Sequence, residues 1–162
     1  MIGFTGHKDP SIHLKMLSHG FPFDTVQMPL NAFDASFRSF EQHVLPEAAR
    51  QNIAVIGMKS LDGSGEMIRM GAITVADALR YAMSLPVATT VSGVNSLDVL
   101  HQNIAIASNF KPMSQDEMAE LRGRCRMEAA DGHLELFKTT TKYDGPIGRE
   151  QHGYPDISQL PA

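Results

Sequence analysis

Cysteine occurs once, at Cys125, so the chain has no partner for an internal disulfide and no thiolate cluster for a metal. A lone free cysteine behaves as a small apolar residue. Basic residues never gather into a run or a stripe, and the net charge is −4 with an isoelectric point of about 5.9. That balance argues against nucleic acid or an anionic membrane as a partner. Apolar stretches stop well short of the roughly 20 residues needed to span a bilayer, and no charged segment leads into an apolar one at the start. A cytoplasmic chain is the expectation. Asp62-Gly63-Ser64-Gly65 is not followed by the Lys-Ser/Thr pair of a phosphate loop, and no G-x-G-x-x-G opens a helix. The histidines His7, His13, His19, His43, His101, His133 and His152 show no metal-ligand spacing.

What is present is an ordinary globular composition, 43% hydrophobic and 20% charged over 162 residues, enough for one core. The chain opens straight into an apolar run, as the middle of a domain does. Four short β-prone runs end at small or polar residues: Ile2 to Thr5, Thr25 to Met28, Ile53 to Met58 and Val87 to Val91. Helical patterns alternate with them. The first covers Pro10 to Ser18, with proline in the first turn. The second is expected to begin at Pro46 and run to Arg50 or Gln51, after an irregular stretch from Ala35 to Val44. Thr74 with Asp77 opens the third, and Ser96 opens the fourth, whose inner stripe reads Leu97, Leu100, Ile104 and Ala107. A fifth starts with the pair Ser114 and Glu117 and places Met118, Leu121 and Cys125 on one face. Strand and helix alternating four times predict an α/β fold with a parallel sheet. Residues 1–130 read as this unit, and 131–162 as an irregular tail.

Certain residues fall at the ends of these strands in a particular order. Thr5 and Gly6 close IGFTGH; Gln27 and Asn31 lie in TVQMPLN; Met58, Lys59 and Leu61 lie in IAVIGMKSLDGSG; Ser92, Gly93, Asn95, Gln102 and Asn103 lie in TTVSGVNSLDVLHQN. This succession resembles the second half of the aldo/keto reductase family. The resemblance runs from Ile2 to Phe110, and FKPMS is similar to a linker before the family's last helix. It implies the second half of a (β/α)8 barrel: about four βα units, a C-terminal helix and the irregular tail. It also implies a nicotinamide cofactor, NADP or NAD. Gln27 would hold the carboxamide, with Thr5 and Gly6 beside it. Met58 would stand where relatives stack an aromatic residue, Lys59 would reach the pyrophosphate, Leu61 would follow as the leucine of the same cofactor-binding motif, and Ser92, Gly93, Asn95, Gln102 and Asn103 would grip the adenosine end. Strand ends are where ligand groups sit in such barrels. A glutamine both donates and accepts, which fixes a carboxamide. Gly6, Gly63, Gly65 and Gly93 would let the backbone approach a ligand.

Two features depart from the family pattern. Relatives place Arg or Lys just after the eighth strand, whereas Gly93-Val94-Asn95-Ser96 with Asp98 stands here, so both NADP and NAD stay open. The family's catalytic Asp, Tyr, Lys and His lie on earlier strands, outside these residues. Tyr81 sits inside a helix, and Tyr143 and Tyr154 sit in the tail, so none is expected to replace the catalytic tyrosine. The expectation is a fragment of an enzyme that reduces small carbonyl compounds, inactive as this chain alone. Alternatives are a non-catalytic half-barrel that forms a homodimer or pairs with a separate N-terminal half, and an unrelated small α/β domain.

Overall fold

The computed structural model describes residues 1–140, 145, 150 and 155–159. Four strands, β1 (Gly3–Thr5), β2 (Thr25–Pro29), β3 (Ala54–Met58) and β4 (Thr89–Thr90), form one sheet in the order β1-β2-β3-β4, every neighbour parallel. Each connection carries helix: α1 (Pro10–Ser18), then α2 (Phe40–Arg50) behind a 3-10 turn at Asp34–Ser36, then a short α3 (Glu66–Arg69) with α4 (Val75–Ser84). After β4 come α5 (Leu97–Ser108), α6 (Gln115–Ala129) and a single turn, α7 (Leu136–Thr139), and a second 3-10 turn spans Ile157–Gln159. The expected α/β class and parallel sheet are present. Among the described residues no helix is long and apolar enough to cross a membrane.

Burial alternates along the strands and says which face the helices cover. Val26, Met28 and Val55 are buried and join Leu17, Val44, Leu45, Ala48, Ala78, Leu121 and Cys125 in one core. The opposite row, Thr5–Gln27–Ile56–Thr89, runs in register across all four strands and stays exposed or half-buried. Pairing extends past the regular ends of the strands: Ala88 N–H donates to Val55 O, Val91 N–H to Gly57 O and Leu30 N–H to Met58 O. All of β4's expected residues from 88 to 91 therefore take part in the ladder, although only two count as strand.

Helix starts follow their caps. Asp9, Thr74, Ser96 and Ser114 each accept a backbone N–H from the first turn, and Ser114 with Glu117 makes a full capping box. The second helix is a correction, because it begins at Phe40 and carries Pro46 inside. Ser39 caps Gln42 N–H, and the Asp34 carboxylate accepts N–H from both Phe40 and Glu41, so the start is fixed well before the proline. Burial of Phe40, Val44, Leu45 and Ala48 holds the helix through the backbone bond that Pro46 lacks.

The stripe expected to face inward on α5 faces outward: Leu97, Leu100, Ile104 and Ala107 are all exposed. Val99, Asn103 and Ile106 turn inward instead. Both stripes recur at helical spacing, so periodicity cannot choose between them. Asn103 decides it by donating to Ser92 Oγ (3.1 Å) and Gly93 O (3.3 Å). As far as Thr140 the chain after Asp131 is packed: Leu134, Glu135, Phe137 and Lys138 are buried, Glu135 accepting from Asn31 and Lys138 donating to Asp34. Tyr143, Tyr154 and His152 lie outside the described residues.

Candidate functional site

The C-terminal ends of β2, β3 and β4 and the loops that leave them enclose a cavity of about 630 Å³. Ligand pockets typically span about 300–1,000 Å³. Seven of the residues singled out in the sequence line it together: Gln27, Met58, Lys59, Leu61, Ser92, Gly93 and Asn95. Ser60, Gly63, Gly65, Val91, Val94 and Val99 complete the wall. Another cavity, about 530 Å³, lies among residues of α4, α5 and the following turn, away from the strand ends.

Gln27 sits mid-row on the bare face, and among the described residues its carboxamide has no hydrogen-bond partner. A primary amide at the mouth of a cavity with both donor and acceptor unspent can pair with another amide. The NH₂ of Asn103 is spent on Ser92 and Gly93, whereas its Oδ1 is buried without a partner among the described residues. Asn103 itself does not line the cavity; it stands behind Ser92 and Gly93, which do, and the open amide in the cavity wall is that of Gln27.

Other expected residues take different places. Gln102 lies in a groove with Ile68, Ile73 and Ile106, apart from the cavity. Thr5 shares a row with Gln27 but does not line the cavity, and it is exposed. Gly6 has a packing reason, since a Cβ there would stand 2.8 Å from His13 Cε1. Asn31 is a buried turn-maker: its Oδ1 accepts N–H from Phe33 and Asp34, and its Nδ2 donates to Lys59 O and Glu135 Oε1. Tyr81 is fully buried, donates to Glu41 (2.7 Å) and accepts from Arg122 (3.1 Å). Burial, then the charge of Glu41, raises the pKa of its phenol, the opposite of what a proton-donating tyrosine requires.

In the loop after β3 the backbone donors turn inward. Asp62 is buried, and its carboxylate accepts N–H from Ser64 (2.6 Å), Gly65 (2.7 Å) and Met67 (2.8 Å) and the Ser64 hydroxyl (2.7 Å). Those donors are spent inside the loop. Gly63 lines the cavity at φ +89°, where a side chain is strained, and a Cβ there would also meet the Lys59 stem, 2.8 Å from Cδ. Lys59 itself holds a left-handed backbone, φ +58°, with its ammonium 5.7 Å from the centre of the Phe137 ring. Sequence reasoning missed Asp62 and His13. The signals were available, in a D-G-S-G turn with aspartate first and in His13 sharing the inward face of α1 with Pro10 and Leu17.

Parallel strands whose C-terminal ends shape a ligand-sized cavity make this an α/β protein with its site at the loop end of the sheet. Among solved structures, the chain is similar to the aldo-keto reductase AKR11C1 from Bacillus halodurans in its holo form, with a TM-score of 0.58 and 15% sequence identity. The match covers 75% of this chain and 49% of that one, so the chain spans about half the length of the structure it resembles. At that identity the likeness is one of fold, and at that level the resemblance read from the motifs is present. No protein-family model matches the sequence, and no curated protein matches it.

Proposed function

We propose that this chain is the nicotinamide-cofactor-binding half of an aldo/keto-reductase-type oxidoreductase, the second half of a (β/α)8 barrel. The carrying observation is the unpartnered Gln27 carboxamide at the mouth of a strand-end cavity, in company with six other residues that the family motifs single out. In this reading Gln27 holds the cofactor's carboxamide, Met58 packs beside the nicotinamide, and Lys59 and Leu61 flank the pyrophosphate. Ser92, Gly93 and Asn95 receive the adenosine end, with Asn103 holding Ser92 and Gly93 from behind. The bound cofactor would supply hydride. The chain's own residues orient it and exclude water, while the proton donor and the carbonyl-substrate pocket come from strands outside these residues. The 93–96 stretch has no cationic side chain to pair a 2′-phosphate, so both NADP and NAD stay within this reading.

Titrating the folded chain with NADPH and NADH, followed by nucleotide fluorescence, tests the proposal. Both bind, and Gln27→Ala weakens binding about tenfold, the cost of one to two lost hydrogen bonds. Absence of binding by the folded chain would overturn the reading.

A second reading concerns assembly. Parallel sheets are normally covered on both faces, yet the Thr5–Gln27–Ile56–Thr89 row is open, and β1 and β4 are unpaired at their outer edges among the described residues. Closure by a second copy or by a separate N-terminal half covers both. Light scattering on a sizing column is expected to give twice the chain mass, and a monomer at micromolar concentration counts against this second reading.

A further inference from the structure

We infer that His13 is a positioning residue for the candidate site: from α1 it grips the main chain of Gln27 and so sets how the Gln27 carboxamide enters the cavity. The inference rests on the functional reading above. His13 is 2% exposed, and its Nε2 lies 3.1 Å from Gln27 O. A carbonyl oxygen only accepts, so the ring proton sits on Nε2. A neutral imidazole has one N–H, which leaves Nδ1 bare, and Nδ1 is buried with no partner among the described residues. Phe4 lies 5.1 Å away and Phe40 5.0 Å away, centre to centre, and Gly6 contributes the gap that admits the ring. Burial lowers the basicity of the ring, the Gln27 carbonyl acts against this, and His7 lowers it further, so the ring stays neutral.

A ring boxed in by two phenyls and a glycine would pack as well or better if it were apolar. Among the described residues, the one hydrogen bond of this histidine goes to the residue whose side chain lines the cavity. Buried polar atoms are nearly always hydrogen-bonded, so the bare Nδ1 is a cost set against the bond to Gln27 O. His13 therefore acts as a strut, fixing the β2 end in the same register that places Gln27 beside Ile56 and Thr5.

Two variants separate this role from packing. His13→Phe keeps the ring between Phe4 and Phe40 without the donor, and His13→Gln returns an amide N–H near the Nε2 position. Nitrogen NMR of the imidazole is expected to show a protonated Nε2 and a bare Nδ1 at neutral pH. In H13F the side-chain amide signals of Gln27 shift and the NADPH dissociation constant rises about tenfold, as for one lost hydrogen bond. H13Q recovers most of that loss. A proton on Nδ1, unchanged Gln27 signals in H13F, or no recovery in H13Q overturns the inference. Should H13F not fold, H13Q and the imidazole spectrum carry the decision. If the unmodified chain binds neither dinucleotide, the functional reading falls, while the tautomer and the Gln27 signals still decide whether His13 is the strut.

Discussion

Replacing Lys138 with methionine lowers the free energy of unfolding by about 3–5 kcal/mol, the usual cost of removing one partner from a buried ion pair. The Lys138 ammonium is fully buried and donates to Asp34 Oδ1 (2.7 Å), Phe37 O (2.7 Å) and Glu135 Oε2 (2.8 Å), so each of its three hydrogens has an acceptor. Methionine keeps the apolar stem but leaves two carboxylates without a cation, in a place water does not reach. Urea denaturation at neutral pH measures the loss. A change under about 1 kcal/mol would mean that the carboxylates take up protons at little cost. The same cluster gives the chain a pH dependence. Burial is the main cause that pushes Glu135 up to about 7, with the charge of Asp34 adding to it and Lys138 opposing, and Asp34 is itself raised, mainly by burial. Between the ordinary carboxylate value and about 7 the folded chain holds a proton that the unfolded chain has released. Stability therefore falls as pH rises through that window, by about 1.4 kcal/mol per pH unit for one proton, and stays lower above it. Glu135→Gln keeps the acceptor for Asn31 and flattens this decline, whereas an unchanged decline would place the proton on Asp34.

Asp62→Ala is the other large effect, a loss of about 3 kcal/mol from buried N–H groups left without an acceptor. Three main-chain donors and one hydroxyl converge on that carboxylate. The loop they close forms one wall of the cavity, so stability and dinucleotide binding are expected to fall together. Asp62→Asn separates the two effects of charge and shape. Its remaining oxygen can still take the Ser64 and Gly65 donors, and only the Met67 contact meets an NH₂, so the loss is about 1 kcal/mol. Equal losses in the two variants would mean that the negative charge, and not the loop geometry, is what the turn requires.

The sequence made the local architecture legible and left the long-range contacts hidden. The bounds of α1 follow from Asp9 and Pro10, and α6 follows from Ser114 and Glu117, because caps act over three residues. The start of α2 does not, because the carboxylate that fixes it belongs to Asp34, outside the helix. The burial of Lys138 is equally unreadable. Its i,i+3 relation to Glu135 is visible in ELFK, but its other partner, Asp34, lies 104 residues away. On α5 the pattern gave two apolar stripes and no way to know which had a neighbour. At the candidate site, Gln27 and the residues at the ends of β3 and β4 were legible as polar or small groups closing apolar runs. The packing reasons for Gly6 and Gly63 were not, since a glycine looks the same whether it admits a ligand, an imidazole or a lysine stem.

Lys59 stands in a left-handed backbone conformation that a lysine adopts at a cost of about 1–2 kcal/mol. Glycine or asparagine would make the same turn more easily. Asp62 N–H and Asn31 Nδ2 both bind the Lys59 carbonyl, holding the residue in that shape. Position 59 is thus one where an amino acid poorly suited to its backbone is kept in place by its neighbours, and where drift toward glycine would make the fold firmer while erasing the cation at the cavity wall.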